Sequence, residues 1–406
     1  MLMAFGGLSF LLRFAFGLGK TTNLSDTYAW GLWIVFDLVW IAIAAGAFAT
    51  AGLIYVFKRK EPYPIGRSAV YMGLLSYSFV MFTLLADLGL PWHFWQLGVN
   101  APRHSAMFEV SWCIGLYVTI LLEFLPVPFE RLALTKQMDV WRKYSPLYVP
   151  LAMTLFVYLM SRSILWAGAT LIAFGLLAFG FRQKAGEKPV PIMLAIAAVT
   201  FSTMHQSSLG SLFLLMPEKL NALWWSPIMP VAFFLSAVAA GSALMVLIDM
   251  WISKAYGRRL AIGRIASMAQ VAFWSLLTYE VVRVLDVAWR GQLTSLFGRA
   301  GNLFLAEVML GGAVPLILLA SAKLRRDPQI VFAGALLAML GVVFNRINVV
   351  LFAMNLRGPL PQSAPTTYMP SIFEWGISAG LIAAAIYLFI LGTRCLPILP
   401  KEETTS

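Results

Sequence analysis

The sequence predicts an all-α, polytopic transmembrane bundle of ten to twelve spans with both termini on the cytoplasmic side. Three observations predict it. Of 406 residues, 60% are hydrophobic, and the mean hydropathy is +0.80. Only 12% are Asp, Glu, Lys or Arg, against roughly 25% in soluble domains. The apolar residues fall into successive runs near the about 20 residues that cross the hydrocarbon, and the loops between them alternate in Lys and Arg content.

Taken in order, run 1–19 closes on GKTTNLSD, and run 29–57 ends in the basic KRKEPYPIGR. Run 66–89 leads into WHFWQLGVNAPRH, and run 106–128 into ERLALTKQMDVWRKY. Residues 133–144 have the pattern of an amphipathic surface helix, with Trp141 and Tyr144 near the headgroups. Runs 146–161 and 163–181 are short and parted by Ser161 and Arg162, so 146–181 is a tight hairpin or a re-entrant insertion. That choice separates twelve spans from ten. RQKAGEKP precedes run 190–215, PEKLNALWWSP precedes 227–251, and SKAYGRRLAIGR precedes 262–287. VAWRGQLTSLFGRAGN, AKLRRD and NLRGPLPQSAPTTYMPS introduce runs 301–322, 328–349 and 371–393. Every second loop is the richer in Lys and Arg, which places that set in the cytoplasm. The chain is a single membrane domain, 1–406, with its main polar membrane segments in 29–128 and 190–287. Small residues between 41 and 52 allow a neighbouring helix to approach closely. No internal repeat is evident.

The net charge of +12 is topogenic rather than a nucleic-acid footprint, because no hydrophilic domain carries it. A cleavable signal peptide is not expected, since the first run is followed by another and lacks a small-residue cleavage site. The two cysteines, Cys113 and Cys395, form no CxxC, CxxCH or four-cysteine set. Iron–sulfur clusters and covalent c-type haem are therefore not expected in this chain. Its three histidines are His93, His104 and His205, of which only His205 lies well inside a run. Paired axial histidines for an embedded haem are missing. Hydrolase and ATPase signatures are absent too.

Charged groups at membrane depth cost several kcal/mol and face a bundle interior or cavity. They are Asp37, Glu109, Glu123, His205, Glu280, Arg283, Asp286, Glu307, Arg346 and Glu374, with Asn345 and Asn348 beside them. Most fall in the outer half, pointing to a polar pocket that opens outward, with interhelical packing as the alternative role for each. His205 stands out because imidazole titrates near physiological pH and can exchange a proton with a quinone oxygen. Glu109 can pass that proton on. Trp30, Trp33, Trp224, Trp225 and Phe108 supply apolar walls for a ring.

Several stretches together resemble the NrfD-like, or polysulfide reductase, family of membrane subunits, most closely its HybB-type branch. They are YAWGLWIVFDL at 28–38, SYSFVMFTLLADLG at 76–89, HSAMFEVSWCIGLY at 104–117, STMHQSSLGSLF at 202–213, LWWSP at 223–227, FNRINVVLFAMN at 344–355 and PSIFEWGISAG at 370–380. The resemblance implies a quinone-binding subunit of a respiratory oxidoreductase complex in the bacterial cytoplasmic membrane, with no haem or iron–sulfur cluster of its own. Its implied partners are a periplasmic, ferredoxin-like iron–sulfur subunit with several clusters and a catalytic or multihaem cytochrome c subunit, beside lipids and the quinone. Menaquinone or ubiquinone is the bound substrate. The implied site residues are Glu109 and His205, then Asp37 and Tyr77, with Trp30, Trp33, His104 and Trp224 around the ring and Glu123 and Asp249 on a proton route. The segment 145–190 departs from the hydrogenase-type members, which have a shorter connection there. This puts a hydrogenase subunit in doubt and favours a larger respiratory complex, such as a menaquinone reductase or a sulfur-metabolism quinone complex; menaquinone reductase is the expected function, with a hydrogenase subunit and a quinol-oxidising sulfur-compound reductase as alternatives. A secondary transporter and a purely structural anchor are the readings of another class.

Overall fold

The computed structural model describes the chain apart from residues 26–27, 58, 60, 101–104, 106–107, 116–133, 181–191, 355–367 and 400–406, and the described residues are all-helical, without a strand. The main helices are α1 (Leu2–Phe16), α2 (Leu32–Tyr55), α3 (Gly66–Asp87), α4 (108–115), α5 (Leu134–Ser161), α6 (Ile164–Gly180) and α7 (Ile192–Leu214). There follow α8 (Met229–Ala255), α9 (Ile262–Trp289), α10 (Arg299–Leu319), α11 (Pro328–Phe352) and α12 (Ile372–Cys395). Among the described residues six helices are long and apolar enough to cross a membrane: Leu32–Tyr55, Tyr63–Asp87, Met229–Ala255, Arg299–Leu319, Pro328–Phe352 and Ile372–Cys395. Of the segment expected as an amphipathic surface helix, 133–144, the described part from Leu134 is helical and runs on into the following run. α5 passes through Pro146 and Pro150 as one helix.

The helix ends follow local chemistry. Asp327 caps α11 by accepting from the amides of Gln329 and Ile330, with Pro328 at the first position, where its missing N–H costs nothing. Ser371 and Glu374 form a reciprocal capping box at the start of α12. The buried Arg13 of α1 reaches the C-terminal end of α3, donating to the carbonyls of Ala86 and Leu88, where a cation complements the helix dipole.

α2 lies at the centre, packed against α3, α7 and α8, and α8 packs in turn against α9 and α11. α1 lies along α12, and the α5–α6 hairpin attaches to the bundle through α7. α2 and α8 cross at Gly46 and Gly241, whose backbones leave no room for a Cβ on either.

That crossing exposes a correspondence that the hydropathy pattern conceals. α2, α3, α4 and α7 form one set, and α8, α9, α10 and α11 a second. Gly46 matches Gly241, and Ile65-Gly66-Arg67 at the start of α3 matches Ile262-Gly263-Arg264 at the start of α9. Glu109 on α4 matches Glu307 on α10, and His205 and Ser208 on α7 match Asn345 and Asn348 on α11. The sequence spacing differs because the first set carries the α5–α6 hairpin between its third and fourth helices.

Candidate functional site

In the first set, α7 presents His205 to α3. The imidazole stacks on the ring of Tyr77, with centroids 5.9 Å apart and planes 26° from parallel. His205 is 1% exposed, and neither ring nitrogen has a hydrogen-bond partner among the described residues. Among the described residues both nitrogens are thus without a partner, which is unusual for so buried a polar group. Ser208, three residues on and so on the same helix face, donates to Glu109 Oε1 at 2.6 Å. The fold thus attaches both Tyr77 and Glu109 to one stretch of α7, the first through His205 and the second through Ser208. Gln206, fully buried beside them, also has neither amide atom hydrogen-bonded.

The other expected site residues have different partners. Asp37 accepts from Thr83 Oγ1 at 3.3 Å, six residues beyond Tyr77 on α3. Trp33 packs with Ala86 and Ile377, against α3 and α12. Trp30 meets Phe213 edge-on at 5.4 Å, on the same helix as His205 but two turns further along. Asp249 is held by Arg264 in a two-pronged pair at 2.7 and 2.9 Å. His104 and Glu123 lie outside the described residues.

Trp224 belongs to a second polar centre. Its indole N–H donates to Glu307 Oε2 at 3.0 Å, and Asn348 Nδ2 reaches the same oxygen at 2.6 Å. Glu307 Oε1 takes Asn345 Nδ2 at 2.7 Å and Arg283 Nη1 at 2.5 Å. Arg346 extends the network to Asn345 Oδ1 at 2.5 Å and Ser236 Oγ at 2.8 Å, its guanidinium lying 3.8 Å over the Phe233 ring. Glu307 is thus a buried carboxylate with four donors. The chain is π-helical over Glu307–Ala313 and Asn348–Phe352, so both widened turns begin on members of this network. An adjoining cavity of about 40 Å³ is lined by Trp224, Tyr279, Arg283, Asn345 and Arg346 among others. It has room for about three or four waters on a scale where one water needs about 10–15 Å³. Sequence reading picked out these residues by depth but not their convergence on Glu307. The usable signal was the repeated three-residue spacing, His205/Ser208 and Asn345/Asn348.

A third cluster ties the loops to the helices. Tyr28 places its hydroxyl 2.8 Å from the carbonyls of both Val350 and Leu351, inside the second π-helical turn. Its ring stacks on Tyr368 at 4.7 Å. Tyr368 donates to Glu374 and accepts from the Leu32 amide at 3.0 Å. Burial holds both phenols above their ordinary titration range, reinforced at Tyr368 by Glu374, so both remain hydrogen-bond donors.

Comparison with known proteins adds the following. The family model described as "Polysulphide reductase, NrfD" matches residues 20–356. The menaquinone reductase integral membrane subunit of Nitratidesulfovibrio vulgaris is 30% identical over 95% of this chain and 87% of its own length. A probable Ni/Fe-hydrogenase 2 b-type cytochrome subunit of Escherichia coli is 28% identical over 96% of this chain and 88% of its own. A selenate reductase subunit of Mesobacillus selenatarsenatis is 23% identical over 98% and 92%. A b-type haem with two axial imidazoles does not fit the described residues. His93 sits in an exposed turn, bonded to Gln96 at 2.8 Å, and faces no second histidine, while His205 faces Tyr77.

Proposed function

Because the chain belongs to the NrfD polysulphide reductase family, a family of membrane subunits of respiratory oxidoreductase complexes, we propose that it is the subunit at which such a complex reduces membrane menaquinone. It is a multi-pass membrane protein and a homologue of a menaquinone reductase subunit. The proposed topology has ten to twelve spans with both termini in the cytoplasm. That puts His205, Glu109 and Tyr77 in the outer half, below an extracytoplasmic iron–sulfur partner that delivers the electrons.

One observation carries the reading. A buried imidazole whose nitrogens have no hydrogen-bond partner among the described residues lies three residues before the serine that holds a carboxylate, in a chain whose relative is named for menaquinone reduction. Reduction of the ring takes two electrons and two protons, each oxygen becoming a hydroxyl. His205 hydrogen-bonds one quinone oxygen, Glu109 transfers a proton to it, the other oxygen takes its proton from water, and Tyr77 holds the imidazole plane. His205 is covered at 1% exposure, so ring entry requires side chains around it to move. A route continuing inward would use Asp37, Glu123 and water.

The test is turnover of the intact complex with a short-chain naphthoquinone. His205→Ala and Glu109→Gln are each predicted to lose about 10²–10⁴-fold in rate, with all subunits retained on purification. Undiminished turnover in both variants would leave only an anchoring role.

A further inference from the structure

Resting on that reading of the Glu109 site, we infer that Ser208 is the positioning residue of Glu109: its hydroxyl fixes one carboxylate oxygen and leaves the other free to exchange a proton with the quinone.

The two matched glutamates supply the argument. Glu307 has both oxygens committed, to Asn345 and Arg283 on one side and to Trp224 and Asn348 on the other. Such a carboxylate is locked. Glu109 has a single side-chain hydrogen bond among the described residues, from Ser208 at 2.6 Å, and is only half-buried. The donor sits at the matching place in each set, Asn348 three residues beyond Asn345 and Ser208 three beyond His205. The second set therefore shows the same glutamate-to-fourth-helix link built as a fixed joint, and the first shows it pared down to one contact.

Ser208 is itself constrained. It is 2% exposed, and its Oγ also lies 2.9 Å from the Met204 carbonyl. A hydroxyl has one proton to give, and the shorter contact, to the carboxylate, is the stronger claim on it. The serine thus touches the carboxylate and not the substrate.

The experiment uses the purified complete complex, assayed with a short-chain naphthoquinone at varied concentration. Ser208→Ala is predicted to lower kcat about tenfold to a hundredfold, with KM within about twofold because ring binding is untouched. Ser208→Thr, which keeps the hydroxyl, restores most of the rate. In a Glu109→Gln background, Ser208→Ala has no further effect. Should the alanine variant fail to assemble, Ser208→Cys, of similar size and a weak donor, takes its place with the same expectation. An unchanged kcat in Ser208→Ala overturns the inference, and so does an equal loss with and without Glu109→Gln, the pattern of a structural residue. Full activity of Glu109→Gln by itself removes the premise together with the inference, whereas loss there with a silent Ser208→Ala leaves the quinone reading standing alone.

Discussion

Glu307 and Arg283 meet at 2.5 Å with both side chains shielded from solvent. Glu307→Ala leaves the buried guanidinium, for an anion, only the longer 4.0 Å contact with Glu280 and strips Trp224, Asn345 and Asn348 of their acceptor; it is predicted to destabilise the subunit by about 3–5 kcal/mol, read as a lower unfolding temperature of the complex. Glu109→Gln removes one hydrogen-bonded carboxylate from a half-buried place and should leave that temperature nearly unchanged while lowering turnover about 10²–10⁴-fold. The opposite phenotypes of two matched glutamates distinguish a joint from a working acid. At this scale the sequence was informative about depth and silent about direction. His205, Glu109 and Tyr77 were legible as a group because their motifs were. Trp33, Trp224 and Asp249 lie equally deep, but which face of a helix meets which neighbour depends on packing. The structure gives them Ala86 and Ile377, Glu307, and Arg264 as partners.

The helices themselves were readable from hydropathy. Runs 29–57, 66–89, 227–251 and 371–393 became α2, α3, α8 and α12 within a few residues. The correspondence between the two sets was not readable, because the α5–α6 hairpin breaks the spacing and, of the matched positions, only Gly46/Gly241, Glu109/Glu307 and the Ile-Gly-Arg triplets keep residue identity. The π-helical turns at Glu307 and Asn348 were hidden as well, since their apolar pattern is that of an ordinary helix. The α2–α8 crossing gives a sharp prediction. Gly241→Val forces a side chain into the backbone of Gly46 and should cost about 1–3 kcal/mol, with reduced yield of assembled complex. Gly7→Ala, where a Cβ meets nothing within 4 Å, should leave yield and stability unchanged.

For the whole molecule, the apolar composition compels a membrane setting, and the alternation of basic loops supports a topology with both termini inside. The close pairing of Gly6 with Gly380 binds the first helix to the last, and Arg13 binds it to the end of α3. The functional claim concentrates on one place in it, the junction of α3, α4 and α7. The most direct measurement is a cryo-electron microscopy map of the intact complex with a bound menaquinone analogue. The account predicts the ring beside Tyr77, with one oxygen within hydrogen-bond reach of a His205 nitrogen and the free oxygen of Glu109 close to it. A ring seated elsewhere, against Trp224 and Arg283 or outside the helices altogether, with His205 still covered, would contradict it.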